Sequence, residues 1–565
     1  MKNLFAFARV YGFVKYFYPL QKKDKISWNY IAAHGSQRVL NAASEEALAE
    51  ALRAVFSPIA PLLNIHSAYD GIGISTAGQE SSNHYYYNLH QGLGQDKGDL
   101  PILTRKISEL YKSRIMDVDH KTYLDLLAKD RILSVDSLYS VPLTDKLYCS
   151  LPLVLTESNY KSNQAHRHFS QKYQLNLDRH EDRLATVIIF WNVFQHFHPY
   201  LDNAAAWDSV FVQTVQQLSP SMTRADFMRV ARNLTTSLND GHAYLASTNS
   251  TGIYSRPSPP ILQTAWVENK LVVSKVNIEN TSLLPGDIVQ KVGAQEAAGL
   301  LDYTKSFLSH ANSNNGNLLA AQSALGWLST TTDTITMALI DSSGNAKNVV
   351  LNGQGYQFKV PTPVAAIRTL EGGIYYINTS AVSAKDIKEN LPALQQAKGI
   401  VFDMRGRPSS SFLRGVLPYL IDKEVDTGNW SIPHYTFPDQ KNVHFVPTSK
   451  WSIKPNGNYI SVKKAFLIGH NTQSYGETCA ELVEHYKIGT MFGCVTAGTN
   501  GNINFSGAGQ LQAVWTGMRV QNRDGSPYHG VGVQPDISVQ PNLKDIQLGK
   551  DTQLEAAVKF LQESR

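Results

Sequence analysis

Two stretches of this chain repeat each other, and any fold it adopts must house both. Leu4 to Pro19, ending Tyr11-Gly12-Phe13-Val14-Lys15-Tyr16-Phe17-Tyr18-Pro19, lines up with Leu184 to Pro199, ending Trp191-Asn192-Val193-Phe194-Gln195-His196-Phe197-His198-Pro199. Trp28 answers to Trp207, and each copy runs on into a second helical stretch, Glu45 to Val55 in one and Arg224 to Leu238 in the other. Such self-similarity means one supersecondary unit used twice. Aromatic residues at helical spacing predict a small helical bundle for each copy, and proline, which lacks an N–H and clashes inside a helix, stops the first helix of both. The copies end differently. The first finishes Pro58-Ile59-Ala60-Pro61-Leu62, the second Leu238-Asn239-Asp240-Gly241-His242-Ala243-Tyr244-Leu245, so only the second ends in titratable chemistry.

At 565 residues the chain is too long for one hydrophobic core, and several domains are expected. A composition 42% hydrophobic and 18% charged excludes disorder and fibre. The net charge of +5 is spread along the chain without a basic block, which disfavours nucleic acid as a partner. No apolar run is long enough to span a membrane. Cys149, Cys479 and Cys494 lack CxxC spacing and are expected to be buried thiols without a metal. The N-terminus opens directly into an amphipathic helix, Leu4 to Phe17, so the protein is either cytoplasmic or numbered after removal of an export signal.

The expected organisation is multidomain α+β and α/β. Residues 1–64 and 181–254 are the duplicated helical modules. Residues 65–180 read as mostly β, with a helix near Ile102 to Lys112 and a polar linker from Gln164. Residues 255–355 read as a β-rich unit: a strand Lys270 to Val276, the turn Leu284-Pro285-Gly286-Asp287 into a strand ending at Gly293, and a hairpin from Thr334 to Leu351. That turn resembles the Leu-x-x-Gly-Asp-x-Ile/Val of a PDZ domain, which implies an edge for an extended peptide; a β-sandwich packing module is the alternative. Residues 356–565 alternate strands and helices, among them Ala384 to Gln396, Leu413 to Ile421 and Asp551 to Glu563, and predict an α/β core.

Chemistry concentrates between Lys463 and Asp536. Ala465-Phe466-Leu467-Ile468 reads as a buried strand and Thr478 to Tyr486 as a helix, with Ser474 in the polar turn between them. A serine at a helix start meets unpaired backbone N–H groups and the positive end of the dipole, which suits a nucleophile and its oxyanion. Ser474-x-x-Glu477 is equally the pattern of a capping box.

Taken in order, Ser474-Tyr475-Gly476-Glu477, the glycine-rich Gly493 to Gly501 and Gly530-Val531-Gly532-Val533-Gln534-Pro535-Asp536-Ile537 resemble the tricorn-like and C-terminal processing serine peptidases over about residues 180 to 565. The resemblance implies a PDZ-like domain, an α/β core of the ClpP/crotonase-like kind, a peptide or protein substrate, no metal or organic cofactor, and a bacterial cell-envelope, periplasmic or secreted location. It implies Ser474 as nucleophile. The lysine that one branch carries after the serine is absent from Thr496-Ala497-Gly498-Thr499, so Asp240-Gly241-His242 matches the other branch and His242 is the implied general base. Tyr475 and Gly406 are the implied oxyanion donors, with Asp403, Arg405 and Asp240 in support. Arg407-Pro408-Ser409 departs from the family's second glycine cluster, and His529 stands where the tricorn-like branch has glutamate. Glu477 or Asp240 then completes the triad, or the site is a Ser-His dyad, or it is a non-catalytic peptide-binding scaffold; a lipase-like hydrolase is disfavoured because no Gly-x-Ser-x-Gly surrounds Ser474.

Overall fold

The computed structural model describes residues 1–21, 23–67, 82–93, 111–163, 172–201, 204–247, 260–326, 334–352, 356–360 and 365–563. Its organising sheet has six strands in the order Ile367–Leu370, Ile374–Asn378, Gly399–Asp403, Lys464–Ile468, Thr490–Gly493 and Ile537–Ser538; the first pair is antiparallel and the rest are parallel. Side chains alternate between faces. Phe466 and Ile468 pack with Phe402, Ile387 of helix Ala384–Gln395 and Leu482 of helix Tyr475–Tyr486. Ala465 and Leu467 pack with Val401, Phe492 and Leu561 of helix Thr552–Glu563. Burial on both faces is why this strand reads as an unbroken apolar run. The loops leaving the carboxyl ends of three adjacent parallel strands carry Gly406, Ser474 and Thr496 to Thr499, the side of an open α/β sheet where ligands bind. One expected helix, Leu413 to Ile421, is instead a π-helical turn Phe412–Val416 followed by a 3-10 turn Leu417–Tyr419. Pro418 has no N–H to continue a regular ladder there.

The two helical modules, expected as separate bundles, share one hydrophobic core. The first contributes Lys2–Gly12, Trp28–Leu40 and Glu45–Phe56; the second contributes His180–Phe197, Ala204–Gln216, Arg224–Ala231 and Asn233–Thr236. Every residue from Asp182 to Phe197 is buried, its polar side chains among them: Asp182 pairs with Arg179, and Arg183 donates to the Leu177 carbonyl. The modules meet where Asn192 Nδ2 donates to the Ala8 carbonyl at 2.9 Å and the Phe5 and Trp191 rings pack edge to face. Gly12 permits this approach, since a Cβ there would lie 1.8 Å from Asn192 Oδ1.

Each module ends in a short strand that adds to a hairpin: Asn64–His66 pairs with Tyr148–Leu151 of the hairpin begun by Tyr139–Pro142, and Tyr244–Ser247 pairs with Leu511–Thr516 of the hairpin begun by Ile503–Ala508. Among the described residues of 65–180, strands His84–His90, Ser113–Asp119 and Val154–Thr156 form a second small sheet, with helices His120–Ala128 and Glu157–Ser162. The helix expected near Ile102 to Lys112 lies almost wholly outside the described residues. The β-rich unit is an antiparallel sheet ordered Ala346–Leu351, Ile335–Ile340, Ile288–Val292, Lys270–Val276 and Leu262–Val267, closed by helices Ala297–Lys305 and Ser313–Ala324 over its own core. Among the described residues no helix is long and apolar enough to cross a membrane.

Candidate functional site

Ser474 stands at the first step of helix Tyr475–Tyr486 with φ 57° and ψ −119°. An ordinary N-cap lies in the extended region. A serine held at positive φ costs about 1–3 kcal/mol, which persists only where surrounding contacts impose it. Here they do: the Ser474 N–H lies 2.8 Å from the Thr499 carbonyl and 3.1 Å from Glu477 Oε2. The capping-box pairing of Ser474 with Glu477 therefore exists, but in a backbone conformation that capping does not need.

Glu477 is fully buried and collects donors. Its carboxylate accepts from Thr496 Oγ1 at 2.5 Å and from the backbone N–H groups of Gly498 at 2.7 Å, Thr499 at 3.0 Å and Ser474. Burial pushes its pKa up to about 7 against those four hydrogen bonds. Its contacts run to the Ser474 turn and the 496–499 turn, and no hydrogen bond joins it to His242 among the described residues.

The Asp240-Gly241-His242 turn is pinned against the Ser474 turn. Gly241 N–H donates to Thr499 Oγ1 at 3.1 Å and the Gly241 carbonyl accepts from Gln473 Nε2 at 2.9 Å. A Cβ on Gly241 would stand 2.6 Å from Thr499 Oγ1, so only glycine allows the contact. The residue before His242 is thus tied both to the residue before Ser474 and to the residue that receives the Ser474 N–H.

The carboxylate of Asp240 is fully buried. It accepts from Thr516 N–H at 2.7 Å, Thr516 Oγ1 at 2.7 Å and His242 N–H at 2.9 Å, with His198 Nε2 at 3.3 Å. Burial opposes its ionisation, yet the His198 hydrogen bond and the charges of His198, His242 and His529 hold its pKa well below the usual carboxylate range. An ionised carboxylate only accepts, so the Thr516 hydroxyl must donate to it. The His242 Nδ1, 2.9 Å from Thr516 Oγ1, must then be the protonated nitrogen, which leaves Nε2 as the basic one. Burial, His529 and Arg407 lower the His242 pKa, with Asp240 opposing. Burial therefore favours the neutral ring.

Gly406 lies in the loop after strand Gly399–Asp403, and Tyr475 opens the helix that follows Ser474. The loop bearing Gly406 packs on the helix start, where a Cβ on Gly476 would stand 3.4 Å from Pro408 Cδ. Among the described residues neither the Gly406 nor the Tyr475 backbone N–H makes a hydrogen bond. Arg405 fixes the loop by a double fork: Nε and Nη2 to Asp403 at 3.0 and 2.6 Å, and Nη1 and Nη2 to Asp551 at 2.8 and 2.7 Å. His529 stacks on Tyr200 at 4.0 Å, its Nε2 2.8 Å from the Asn239 carbonyl. The three cysteines are free and buried. Among the described residues no cluster of three His, Cys, Asp or Glu is arranged to hold a metal ion.

Sequence reasoning missed Thr516, Thr499, Gln473 and Asp551. It also gave His198 no chemical role, whereas His198 is buried against Asp240. The repeat held a signal for it, since His198 occupies the place of Tyr18. Nothing local marks Thr516, which lies 276 residues from the carboxylate it binds.

An α/β sheet core joined to helical and β-rich units is a fold that the chain shares with solved structures of CPAF. Mature CPAF complexed with lactacystin is 12% identical, covers 68% of this chain and 98% of its own, and superposes with a TM-score of 0.53. A mutant CPAF is 13% identical, covers 68% and 97%, and reaches 0.54. The photosystem II D1 C-terminal processing protease is 15% identical and covers 67% and 97%, but its TM-score of 0.39 is too loose to bear on the site. No protein-family model matches the chain, and no curated protein matches it. The likeness is one of fold.

Proposed function

We propose that the protein is a serine peptidase in which Ser474, His242 and Asp240 act as a triad whose third link runs through the Thr516 hydroxyl. Ser474 Oγ attacks the carbonyl carbon of a peptide while His242 Nε2 takes its proton; the Gly406 and Tyr475 N–H groups receive the oxyanion. The tetrahedral adduct collapses, the C–N bond breaks and the imidazolium returns the proton to the leaving amine. Water, activated by the same histidine, then hydrolyses the acyl-enzyme. The chain His242 Nδ1–H to Thr516 Oγ1–H to Asp240 holds the ring in the needed tautomer and stabilises the imidazolium across one hydroxyl. Glu477 then shapes the nucleophile turn and does not touch the reacting atoms. The β-rich unit, read as PDZ-like, supports presentation of an extended peptide.

One observation carries this reading: the Asp-Gly-His turn is hydrogen-bonded to the residue before the positive-φ serine and to the residue that receives the serine N–H, and a buried ionised carboxylate backs its histidine. A scaffold that had lost its chemistry would have no use for that strain and buried charge. Labelling with a fluorophosphonate probe tests it. Covalent labelling of the intact protein is expected, abolished in Ser474→Ala and in His242→Ala; a folded protein that never labels, or one that labels equally without His242, overturns it.

A further inference from the structure

We propose that the cleft beside Ser474 is a carboxylate-selective subsite, in which Arg407 pairs with the acidic side chain of the residue whose carbonyl the serine attacks. Placement at the attacked residue rests on the peptidase reading above; carboxylate binding does not.

The cleft, about 480 Å³ and open to solvent, is walled by Trp430, Trp451 and Met518 and carries Arg407, Asn500 and Asn502 beside Ser474 and Tyr475. Among the described residues no acidic side chain lines it. Arg407 follows the oxyanion glycine directly, so a group it grips lies next to the carbonyl being attacked. Pro408 fixes the backbone after it, and the guanidinium reaches over the Tyr475 ring at 6.0 Å. Among the described residues Arg407 has no carboxylate partner. Two acids on this side of the molecule, Asp426 and Glu481, are instead committed to Arg523 at 2.9 and 2.7 Å.

The second polar group points the same way. Asn500 is nearly buried, and its Oδ1 accepts from Thr478 Oγ1 at 3.2 Å and from Gly501 N–H at 2.7 Å. With the carbonyl end committed, the N–H2 end is what Asn500 offers a ligand. A cation and an amide donor then face a cleft with indole walls; Trp430 and Trp451 pack edge to face at 4.8 Å. A guanidinium matches a carboxylate with two parallel hydrogen bonds, a geometry that neither an amide nor a phenyl side chain reproduces.

The test is calorimetric binding to full-length Ser474→Ala protein, with C-terminally amidated peptides differing only in Glu against Gln at one position. We expect the Glu peptide to bind about tenfold tighter at low salt, with the gap narrowing as salt rises. In Ser474→Ala/Arg407→Gln the two peptides should bind alike, and in Ser474→Ala/Arg407→Glu a Lys peptide should replace Glu as the preferred one. Equal affinities with Arg407 intact, or a Glu preference that survives Arg407→Gln, overturn the subsite. Free-acid peptides separate the two sources of a carboxylate: a preference seen only for the free C-terminus overturns the side-chain assignment. Hydrolysis by the unmutated protein separates the two readings. Glu preference in binding without hydrolysis sinks the peptidase and leaves the subsite, whereas hydrolysis without Glu preference sinks the subsite and leaves the peptidase.

Discussion

The two helical modules end in the same turn and put it to opposite uses. Leu63 N–H bonds the Ala60 carbonyl at 2.9 Å, and Ala243 N–H bonds the Asp240 carbonyl at 2.8 Å. Each turn leads into a strand on the second arm of a hairpin, with Ile65 facing Cys149 and Leu245 facing Ala513. Matched residue by residue, Ala60 stands for Asp240, Leu62 for His242 and Tyr18 for His198. In the first copy Leu62 N–H reaches Tyr18 Oη at 3.4 Å; in the second His198 turns to Asp240. Three residues beyond the facing positions stand Pro152 and Thr516. Proline has no N–H to give, and beside an alanine none is needed; beside Asp240 both the N–H and the hydroxyl of threonine are used. One scaffold thus carries a silent copy and a charged one, and the difference lies in four side chains.

Exchanging those side chains breaks the comparison in graded steps. His242→Leu gives the second copy the residue of the first and should lower the rate of Ser474 labelling by about 10²–10⁴-fold, the worth of a general base. The reciprocal Leu62→His, at an exposed site of the silent copy, should leave labelling within about twofold, as surface changes usually do.

Asp240→Ala copies Ala60. It strips the Thr516 N–H and the Thr516 hydroxyl of their buried acceptor, so unfolding monitored by denaturant should show a loss of about 2–4 kcal/mol, alongside lost labelling. Thr516→Val keeps the shape and removes only the relay. Its expected signature is a fall in kcat of about tenfold with KM little changed, since the tautomer is no longer fixed but peptide contacts remain.

The smallest effect is in pH. As the proposed base His242 has to be neutral, and its pKa is lowered from 6.5 mainly by burial, so the acid limb of kcat/KM should lie below pH 6.5. Asp240 opposes that lowering, so Asp240→Asn should move the limb further to acid. A limb that moves to alkali would show that the carboxylate does not sense the ring. The sign for stability is the same: the folded state resists protonating His242, so its contribution is intact above 6.5 and is lost as pH falls through the lowered folded value.

Much of the architecture was legible because it depends on local pattern. The Lys464–Ile468 strand, the Tyr475–Tyr486 helix, the Ala384–Gln395 helix and the strands of the β-rich unit all follow from apolar periodicity and turn residues. Pro418 broke one expected helix into short turns, a local signal that periodicity had outweighed. The pairing of the two modules over one core was not legible, since each copy presents the same aromatic face and nothing in either says which surface covers it. Ser474 and His242 were singled out by motif, yet the motif offered Glu477 and Asp240 alike as the third group. Their contacts differ: Glu477 is ringed by donors from the Ser474 turn and the 496–499 turn, and Asp240 by those of Thr516 and His242.

By itself, then, the sequence determined the helices, strands and turns of the two repeats, of the β-rich unit and around Ser474 and Asp240-Gly241-His242, because each is written in contiguous residues whose spacing sets helix, strand or turn. Tertiary structure alone decided that a strand of the second module joins a hairpin of the α/β core, which carries Thr516 to Asp240 and Gly241 to Thr499. Hydrogen bonds of about 3 Å between groups hundreds of residues apart are selected by burial and donor count once the chain has closed, and no local period records them.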